Sequence, residues 1–281
     1  MPLESLIPLL DEAREKSYIV GSFNAFNLET VRAVVSAAEE MSSPVVVAVA
    51  ASHLRYTDFE ALVGAAVPLC RRARVPVVLH LDHAETLDVV TRSIRAGFTS
   101  VMFDGYGLSA EEKCRQTRSV TDLAHSIGIS VEAELGHITK VGVDRDQRDE
   151  LLIDPSLAGD FISATGVDVV AAAIGSVHGQ QAGEAQLDFA RLVELREKVQ
   201  CHLSLHGGSG MAETHVGQAI AAGVTKISYF TGLSRDAVDR ATSLLAADPD
   251  IRLPALCDEM RQAVQEGVRR QLTLYRSVGT A

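Results

Sequence analysis

The 281-residue chain has no tryptophan, only 5% aromatic residues and only four cysteines. The cysteines, Cys70, Cys114, Cys201 and Cys257, include no closely spaced pair, which argues against a disulfide scaffold and favours a reducing compartment. No apolar run approaches the roughly 20 residues that cross a bilayer, and charges interrupt the amphipathic N-terminus early. We therefore expect a cytoplasmic protein with no membrane partner and no signal peptide.

Positive charge is also scarce, because 26 lysines and arginines face 37 aspartates and glutamates, for a net charge of −11. This balance argues against nucleic acid or an anionic membrane surface as the main partner. An anionic substrate would need local compensation from a metal, a helix N-terminus or an arginine.

Strand-like and helix-like patterns alternate along the chain. The strand candidates are residues 18–24, 44–50, 75–83, 100–106, 130–136, 167–179, 202–210 and 224–232. Eight β-then-α units with short links predict a single domain, residues 1–281, folded as a (β/α)8 TIM barrel with an N-terminal helix and a long C-terminal helix over 253–275. A doubly wound open sheet is the structural alternative, because periodicity alone does not close a barrel.

Three of the nine histidines lie where an apolar run ends. The runs VVLHLDH, VVAAAIGSVHG and LSLHGGSG contain His83, His178 and His206 respectively. Because the carboxyl ends of parallel barrel strands share one mouth, three imidazoles there could surround one ion and leave a position open for substrate, as catalytic zinc requires. The alternative for each histidine is a hydrogen bond to the barrel rim, but three in matching positions favour the metal.

Other polar residues are predicted at the same mouth. They are Asn24, Asp82, Asp104, Glu132, Glu134, Ser209, Ser228 and Thr231. Asp82 is suited to proton transfer at a metal-bound substrate, or to orienting a histidine ligand. Asp104 and Glu134 could hold a second cation, or could pair with arginines at the rim.

Glycine follows two of the candidate ligands: Gly179 comes after His178, and Gly207 and Gly208 come after His206. A glycine-rich turn that opens a helix exposes backbone N–H groups, and the helix dipole favours an anion there. Phosphate recurs after strands seven and eight of barrels. We therefore expect a phosphate at this turn, with Thr231 adding a hydroxyl or an amide.

The remaining histidines and one polar segment carry less information. His80 is interpreted as a packed strand histidine, whereas the others are interpreted as surface residues: His53, His125, His202 and His215. Residues 137–153 are too long for an ordinary connection and too charged to be buried, so a lid is favoured over a disordered loop. His137 stays unassigned.

The motifs LHLDH, AGFTSVMFDG, GISVEAELG, AIGSVHG, LSLHGGSG and GVTKIS resemble those of the class II, zinc-dependent fructose-bisphosphate and tagatose-bisphosphate aldolases. Their order and spacing cover nearly the whole chain. The resemblance implies a (β/α)8 barrel that forms a homodimer or homotetramer. It also implies cleavage of a ketose phosphate to dihydroxyacetone phosphate and an aldehyde through a zinc-stabilised enediolate.

The resemblance implies roles for individual residues. The ligands of the catalytic zinc would be His83, His178 and His206. Asp82 would exchange a proton with the aldehyde-derived hydroxyl, and Asp104 and Glu134 would form a second metal site. The residues that bind dihydroxyacetone phosphate would be Gly179, Gly207, Gly208, Ser209 and the stretch from Ser228 to Thr231, with Asn24 added to the substrate-binding set. Some members also hold a monovalent cation near the phosphate.

The chain departs from the family pattern where substrate and loop meet. Ser228 stands where the family usually has asparagine, and Gln180, Gln181 and Ala182 replace the usual tyrosine and lysine. The loop usually reads Gly-Val-Glu-Asp, whereas this chain has GVDR at 142–145. Asp144 is therefore the first candidate for the loop base, ahead of Asp146, Asp149 and Glu150. The sequence supports metal-dependent aldol chemistry better than it supports fructose 1,6-bisphosphate as the substrate.

Three other functions remain open. A Schiff-base aldolase is disfavoured, because strand six has no lysine and Lys226 is the only lysine in a strand candidate. A metal-dependent isomerase or epimerase would use the same enediolate without breaking a carbon–carbon bond. A non-catalytic subunit that works with a partner protein is the third.

Overall fold

The computed structural model describes residues 3–140, 152–179 and 187–281. Eight parallel strands in these ranges close into a barrel, in which the first strand pairs with the last. The barrel strands are β1 (Val20–Asn24), β2 (Val45–Ala50), β3 (Val77–Ala84), β4 (Ser100–Phe103), β5 (Ser130–Leu135), β7 (Val169–Ala172), β9 (His202–Leu205) and β10 (Val224–Tyr229). The predicted TIM barrel is confirmed, and the open-sheet alternative is wrong.

Helices lie between the barrel strands, with one more before the first strand and two in succession after the last. They are α1 (Leu6–Lys16), α2 (Leu28–Met41), α3 (Phe59–Arg72), α4 (Leu87–Ala96), α5 (Ala110–His125), α6 (Pro155–Thr165), α7 (Phe189–Lys198), α8 (Glu213–Ala221), α9 (Thr231–Ala247) and α10 (Leu253–Leu274). Side chains of Asn27, Asp58 and Ser109, among others, accept a backbone N–H at a helix start. These caps satisfy amide groups that a helix leaves unpaired, so the local sequence fixes where several helices begin.

The N-terminal end of the barrel is closed by α1. Its buried residues Leu6, Leu9, Leu10 and Ala13 form one apolar cluster with valines that include Val20, Val46 and Val78. Those valines lie at or next to the first residue of their strands, so α1 covers the end of the barrel where the strands begin. The opposite end, where the strands finish, is left for the polar residues.

Three details differ from the sequence-based expectations. The sixth barrel strand ends at Ala172, and His178 lies on a separate two-residue strand, β8 (Val177–His178), which pairs with β6 (Thr139–Lys140). Thr231 begins α9 instead of ending a strand. His202 is not a surface residue, because only 4% of it is exposed.

The expectation for His80 holds. His80 is fully buried in β3 and lies 2.8 Å from the Ser100 hydroxyl, as expected of a packed strand histidine. In the described ranges, none of the helices combines the length and apolar character that crossing a bilayer requires.

We expect Leu10→Ala to lower the free energy of unfolding by about 2–5 kcal/mol, because Leu10 is fully buried in the cluster that seals the barrel. Urea denaturation followed by circular dichroism measures this change. The control Leu245→Ala removes a side chain that is 46% exposed on α9 and should change stability by about 0.5 kcal/mol or less. Equal effects of the two substitutions would show that α1 does not seal the barrel.

Candidate metal centre and active-site cavity

A bulge at the end of β3 directs two consecutive side chains to the barrel mouth. The pairing of β3 with β4 shifts register between Leu81 and Ala84, and His83 has a left-handed backbone with φ 56°. Consecutive residues on a regular strand point to opposite faces, whereas the bulge lets Asp82 and His83 serve the same site. A left-handed, non-glycine residue is strained, and such strain is concentrated at functional sites.

His83 and His206 face each other across the mouth. Nε2 of His83 lies 2.9 Å from Nδ1 of His206, and both side chains are mostly buried. On the far side of its ring, His83 Nδ1 lies 2.7 Å from Oδ2 of Asp104. A carboxylate accepts a hydrogen bond and does not donate one, so Nδ1 of His83 carries a proton and Nε2 is the nitrogen turned toward His206.

Negative charge surrounds this pair of rings. Nε2 of His83 lies 3.9 Å from Asp82 Oδ1, and Nδ1 lies 3.9 Å from Glu134 Oε2. Burial alone would lower the pKa of His83, but Asp82, Asp104 and Glu134 raise it to about 10. The surroundings therefore favour a positive charge between the two rings, whether a proton or a metal ion supplies it.

Two groups of side chains that share His83 are compact enough to hold a cation. One group is Asp82, His83 and His206, and the other is His83, Asp104 and Glu134. Within each group the potential ligand atoms all lie within 4.8 Å of one another. Imidazole nitrogens with one carboxylate suit zinc, whereas a site richer in carboxylates suits a harder divalent cation.

Asp82 is held by the first barrel strand. The side-chain amide of Asn24 donates a hydrogen bond of 2.7 Å to Asp82 Oδ2, while Oδ1 is buried without a hydrogen-bond partner among the described residues. Burial alone would raise the pKa of Asp82, but the neighbouring His83 and His206 lower it below the usual value. Asp82 is therefore an oriented, ionised carboxylate with one oxygen available at the mouth.

The barrel interior below the imidazoles contains an ion pair. Lys226 Nζ lies 2.8 Å from Glu132 Oε2, and both side chains are fully buried. Burial alone would raise the pKa of Glu132, but the Lys226 ammonium and the contact with His206 hold it well below its usual value. Glu132 therefore lies deeper in the barrel than the strand end at which the sequence suggested it.

One cavity of about 200 Å³ opens at this mouth. Most of the predicted site residues line it: Asn24, Asp82, His83, Gly179, His206, Gly207, Ser209, Ser228 and Thr231. Asp104 and Glu134 lie behind His83. The backbone of His178 belongs to β8, and the loop-base candidates Asp144, Asp146, Asp149 and Glu150, together with residues 180–182, lie outside the described residues.

The glycine turn after β9 forms one wall of the cavity. Gly208–Gly210 is a single turn of 3-10 helix, and α8 begins only at Glu213, so the turn does not open an α-helix as the sequence suggested. The hydroxyl of Ser209 accepts the N–H of Gly232 at 3.0 Å. This bond ties the turn to the first turn of α9, whose own N-cap residue, Phe230, supplies no side-chain cap.

Position 207 has no room for a side chain and therefore requires glycine. Its φ is 72°, and a Cβ there would collide with the backbone carbonyl of Val177. The strand that contains His178 therefore lies directly against the residue that follows His206. This close approach links two of the three predicted metal ligands through the backbone.

His53 is a cavity residue that the sequence interpretation as a surface histidine missed. It lies in a short 3-10 turn after β2, and its ring centroid is 4.5 Å from that of Phe230. Its Nδ1 is buried without a hydrogen-bond partner among the described residues, and burial lowers its pKa. Only its position after a buried strand could have indicated this placement.

Comparisons with known proteins agree with this arrangement. Residues 4–280 match the family described as fructose-bisphosphate aldolase class-II. The chain is 36% identical to a fructose-bisphosphate aldolase of Thermus caldophilus, over 98% of both chains. It is 37% identical to a probable fructose-bisphosphate aldolase of Bacillus subtilis, over 95% of both. The crystal structure of the YdjI aldolase from Escherichia coli K12 superposes with a TM-score of 0.88 at 31% identity, covering 100% of both chains.

We expect Gly207→Ala to lower the free energy of unfolding by about 1–3 kcal/mol, because a left-handed alanine is strained and its methyl group would displace β8. Thermal unfolding measures the effect. The control Gly64→Ala, on an exposed face of α3 with open space around the added methyl group, should instead raise stability by about 0.5–1 kcal/mol. A stabilised Gly207→Ala protein would contradict the close approach of β8.

Proposed function

The chain belongs to the class II fructose-bisphosphate aldolase family, and on that premise we propose that it is a zinc-dependent lyase. The proposed reaction is the reversible cleavage of a phosphorylated ketose to dihydroxyacetone phosphate and an aldehyde. The observation that carries the proposal is the pair of facing imidazoles, 2.9 Å apart, beside the oriented carboxylate of Asp82.

The donor atoms fit a zinc ion. We propose that His83 would bind it through Nε2 and His206 through Nδ1, with His178 as the third ligand. This is the three-ligand composition of catalytic zinc sites, in which the fourth position is left for water or substrate. Zinc held there would supply Lewis-acid chemistry, by withdrawing electrons from the ketose carbonyl.

Asp82 is the proposed proton acceptor in the cleavage direction. Asn24 occupies its Oδ2, so Oδ1 can take the proton of the ketose hydroxyl as the carbon–carbon bond breaks and the aldehyde carbonyl forms. The bonding electrons pass to the dihydroxyacetone phosphate half. A second acid must then protonate the carbon of that half, and Asp144 stays the first candidate for it.

The phosphate of the ketose would bind between the glycine turn and α9. The supporting features are the backbone amides near Gly207 and Gly208, the Ser209 hydroxyl and the N-terminus of the 17-residue α9, whose N-cap residue supplies no side-chain cap. These groups offer the local positive potential that an anionic substrate needs in a chain of net charge −11. We propose that Gly179 and Thr231 complete this site, with a monovalent cation near it.

Further properties stay predictions. Asp104 and Glu134 are the proposed ligands of a second divalent cation. A single domain over residues 1–281, a homodimer or homotetramer and a cytoplasmic location are likewise proposed. Ser228 stands in place of the usual asparagine and changes the shape of the cavity wall. The proposal therefore names the substrate class, a phosphorylated ketose, without a particular aldehyde half.

We expect chelator-treated, verifiably metal-free protein to lose cleavage of a panel of ketose phosphates and to regain it with zinc. Zinc-loaded Asp82→Asn should cleave at least about 100-fold more slowly, because general-base transfer typically contributes that much. Chromatography and an assay for dihydroxyacetone phosphate identify the products.

The products separate the remaining functions. Two short fragments indicate an aldolase, whereas one isomer of the starting ketose indicates an isomerase or epimerase. Metal-free protein with full activity would exclude the zinc mechanism. Zinc-loaded protein that converts none of the panel would instead favour the non-catalytic subunit.

We expect His53→Ala to raise KM for the accepted ketose by about 2- to 10-fold, the value of one hydrogen bond, and to leave zinc affinity unchanged. A neutral His53 can donate to one hydroxyl and accept from another, so its expected partner is a hydroxyl of the ketose. His125→Ala, at an exposed position on α5, is the control and should leave both values unchanged. An unchanged KM in the His53 variant would exclude it from substrate binding.

A further inference from the structure

The buried Lys226–Glu132 pair lies in direct contact with one of the facing imidazoles. Glu132 Oε1 lies 3.1 Å from His206 Nε2, while Glu132 Oε2 accepts from Lys226 at 2.8 Å. The Ser204 hydroxyl donates to the same Oε1 at 2.7 Å. All four side chains are almost completely buried, so these contacts are not exchanged with solvent.

The contacts determine which nitrogen of His206 carries the proton. An ionised carboxylate only accepts hydrogen bonds, so the nitrogen in contact with Glu132 must be the donor. The proton therefore belongs on Nε2, and Nδ1 carries the lone pair. Nδ1 is the atom that lies 2.9 Å from His83 Nε2, at the mouth of the barrel.

We propose that Lys226 and Glu132 are positioning residues for the metal centre. Lys226 keeps Glu132 as an acceptor, and Glu132 holds His206 as the Nε2–H tautomer with Nδ1 facing the metal. The inference rests on the proposed zinc function and deepens it, because it assigns a second layer of residues to the same site. Carboxylates that hold the distal nitrogen of a histidine ligand fix its tautomer and raise its basicity.

Stability alone does not account for this pair. Removing two charges from water into a protein interior is costly, and apolar residues of similar volume often give equal or greater stability. The contact with His206 gives the pair a role that apolar side chains could not fill, because an apolar side chain cannot accept a hydrogen bond from His206 Nε2. It also argues against Lys226 as a Schiff-base nucleophile, because its side chain is fully buried and paired with Glu132.

His83 is also held by a carboxylate behind its ring, but the carboxylate belongs to Asp104. Asp104 accepts from Nδ1 of His83, just as Glu132 accepts from Nε2 of His206. The two rings are therefore turned in opposite senses, so that one presents Nε2 and the other Nδ1 at the mouth. The carboxylate behind each ring accounts for that difference.

The first test is made on the wild-type chain. Two-dimensional ¹H–¹⁵N NMR of ¹⁵N-histidine-labelled protein distinguishes a protonated ring nitrogen from one with a lone pair. We expect His206 to show the Nε2–H pattern in metal-free protein, and to keep Nε2–H when zinc binds at Nδ1. Zinc binding at Nε2 of His206 would overturn the assignment, and this test does not depend on a variant that folds.

The second test removes the pair without leaving a charge alone in the core. We expect Glu132→Gln with Lys226→Met to raise the zinc Kd by about 10- to 100-fold, measured by competition with a chromophoric chelator. The control applies the same two substitutions to an exposed pair on α7, Glu194→Gln with Lys198→Met, whose ion pair is 2.7 Å long. The control should bind zinc with the wild-type Kd.

The outcomes separate this inference from the proposed function. Tight zinc binding by wild type together with an unchanged Kd in the core variant overturns the role of the pair alone. A wild-type chain that binds no zinc overturns the proposed function and this assignment together. A weakened Kd in the core variant, with cleavage of ketose phosphates still dependent on zinc, supports both.

Discussion

Closure of the parallel ladder between β1 and β10 is the constraint on which the site depends. Residues 123 positions apart in the chain, His83 and His206, meet at 2.9 Å only because the strands that carry them end at the same mouth. The cap formed by α1 makes the two ends of the barrel unequal, with an apolar seal where strands begin and polar residues where they end. One topological feature thus provides both a closed core and a convergent set of donors.

The charges at this mouth follow from a second requirement, that a buried ionised group needs a partner. Asp104 lies behind His83, Glu132 lies behind His206, and Lys226 lies behind Glu132. Each ionised group is compensated by a charged or hydrogen-bonding neighbour. These contacts run continuously from Lys226 in the barrel interior to His83 at the cavity. The outermost members of this series are two imidazoles surrounded by carboxylates, an environment that favours a bound cation.

Much of the fold could be predicted because the hydrophobic patterns of strands and helices have different periods, and because turns and helix caps depend on residues that are neighbours in the sequence. The order of the elements, and the convergence of His83 and His206, follow from alternation and from strand ends alone. What could not be predicted depends on contacts between distant segments. Burial of His202, the cavity position of His53 and the Glu132–Lys226 contact each require knowing which strands are neighbours and which side chains point inward.

Among the positions at which the chain departs from the family pattern, Ser228 lies within the described residues. Ser228 lies where the interior meets the cavity: its hydroxyl is 3.3 Å from Lys226 and 3.4 Å from His206 Nε2. A serine at this position contacts the network that holds His206, and it leaves more space in the cavity than an asparagine would. His53 lines the same cavity, beside Phe230. Changes at these two positions alter the cavity lining while the imidazoles keep their carboxylate partners. Under the proposed function, reaction type and substrate choice would therefore depend on different layers of the same mouth.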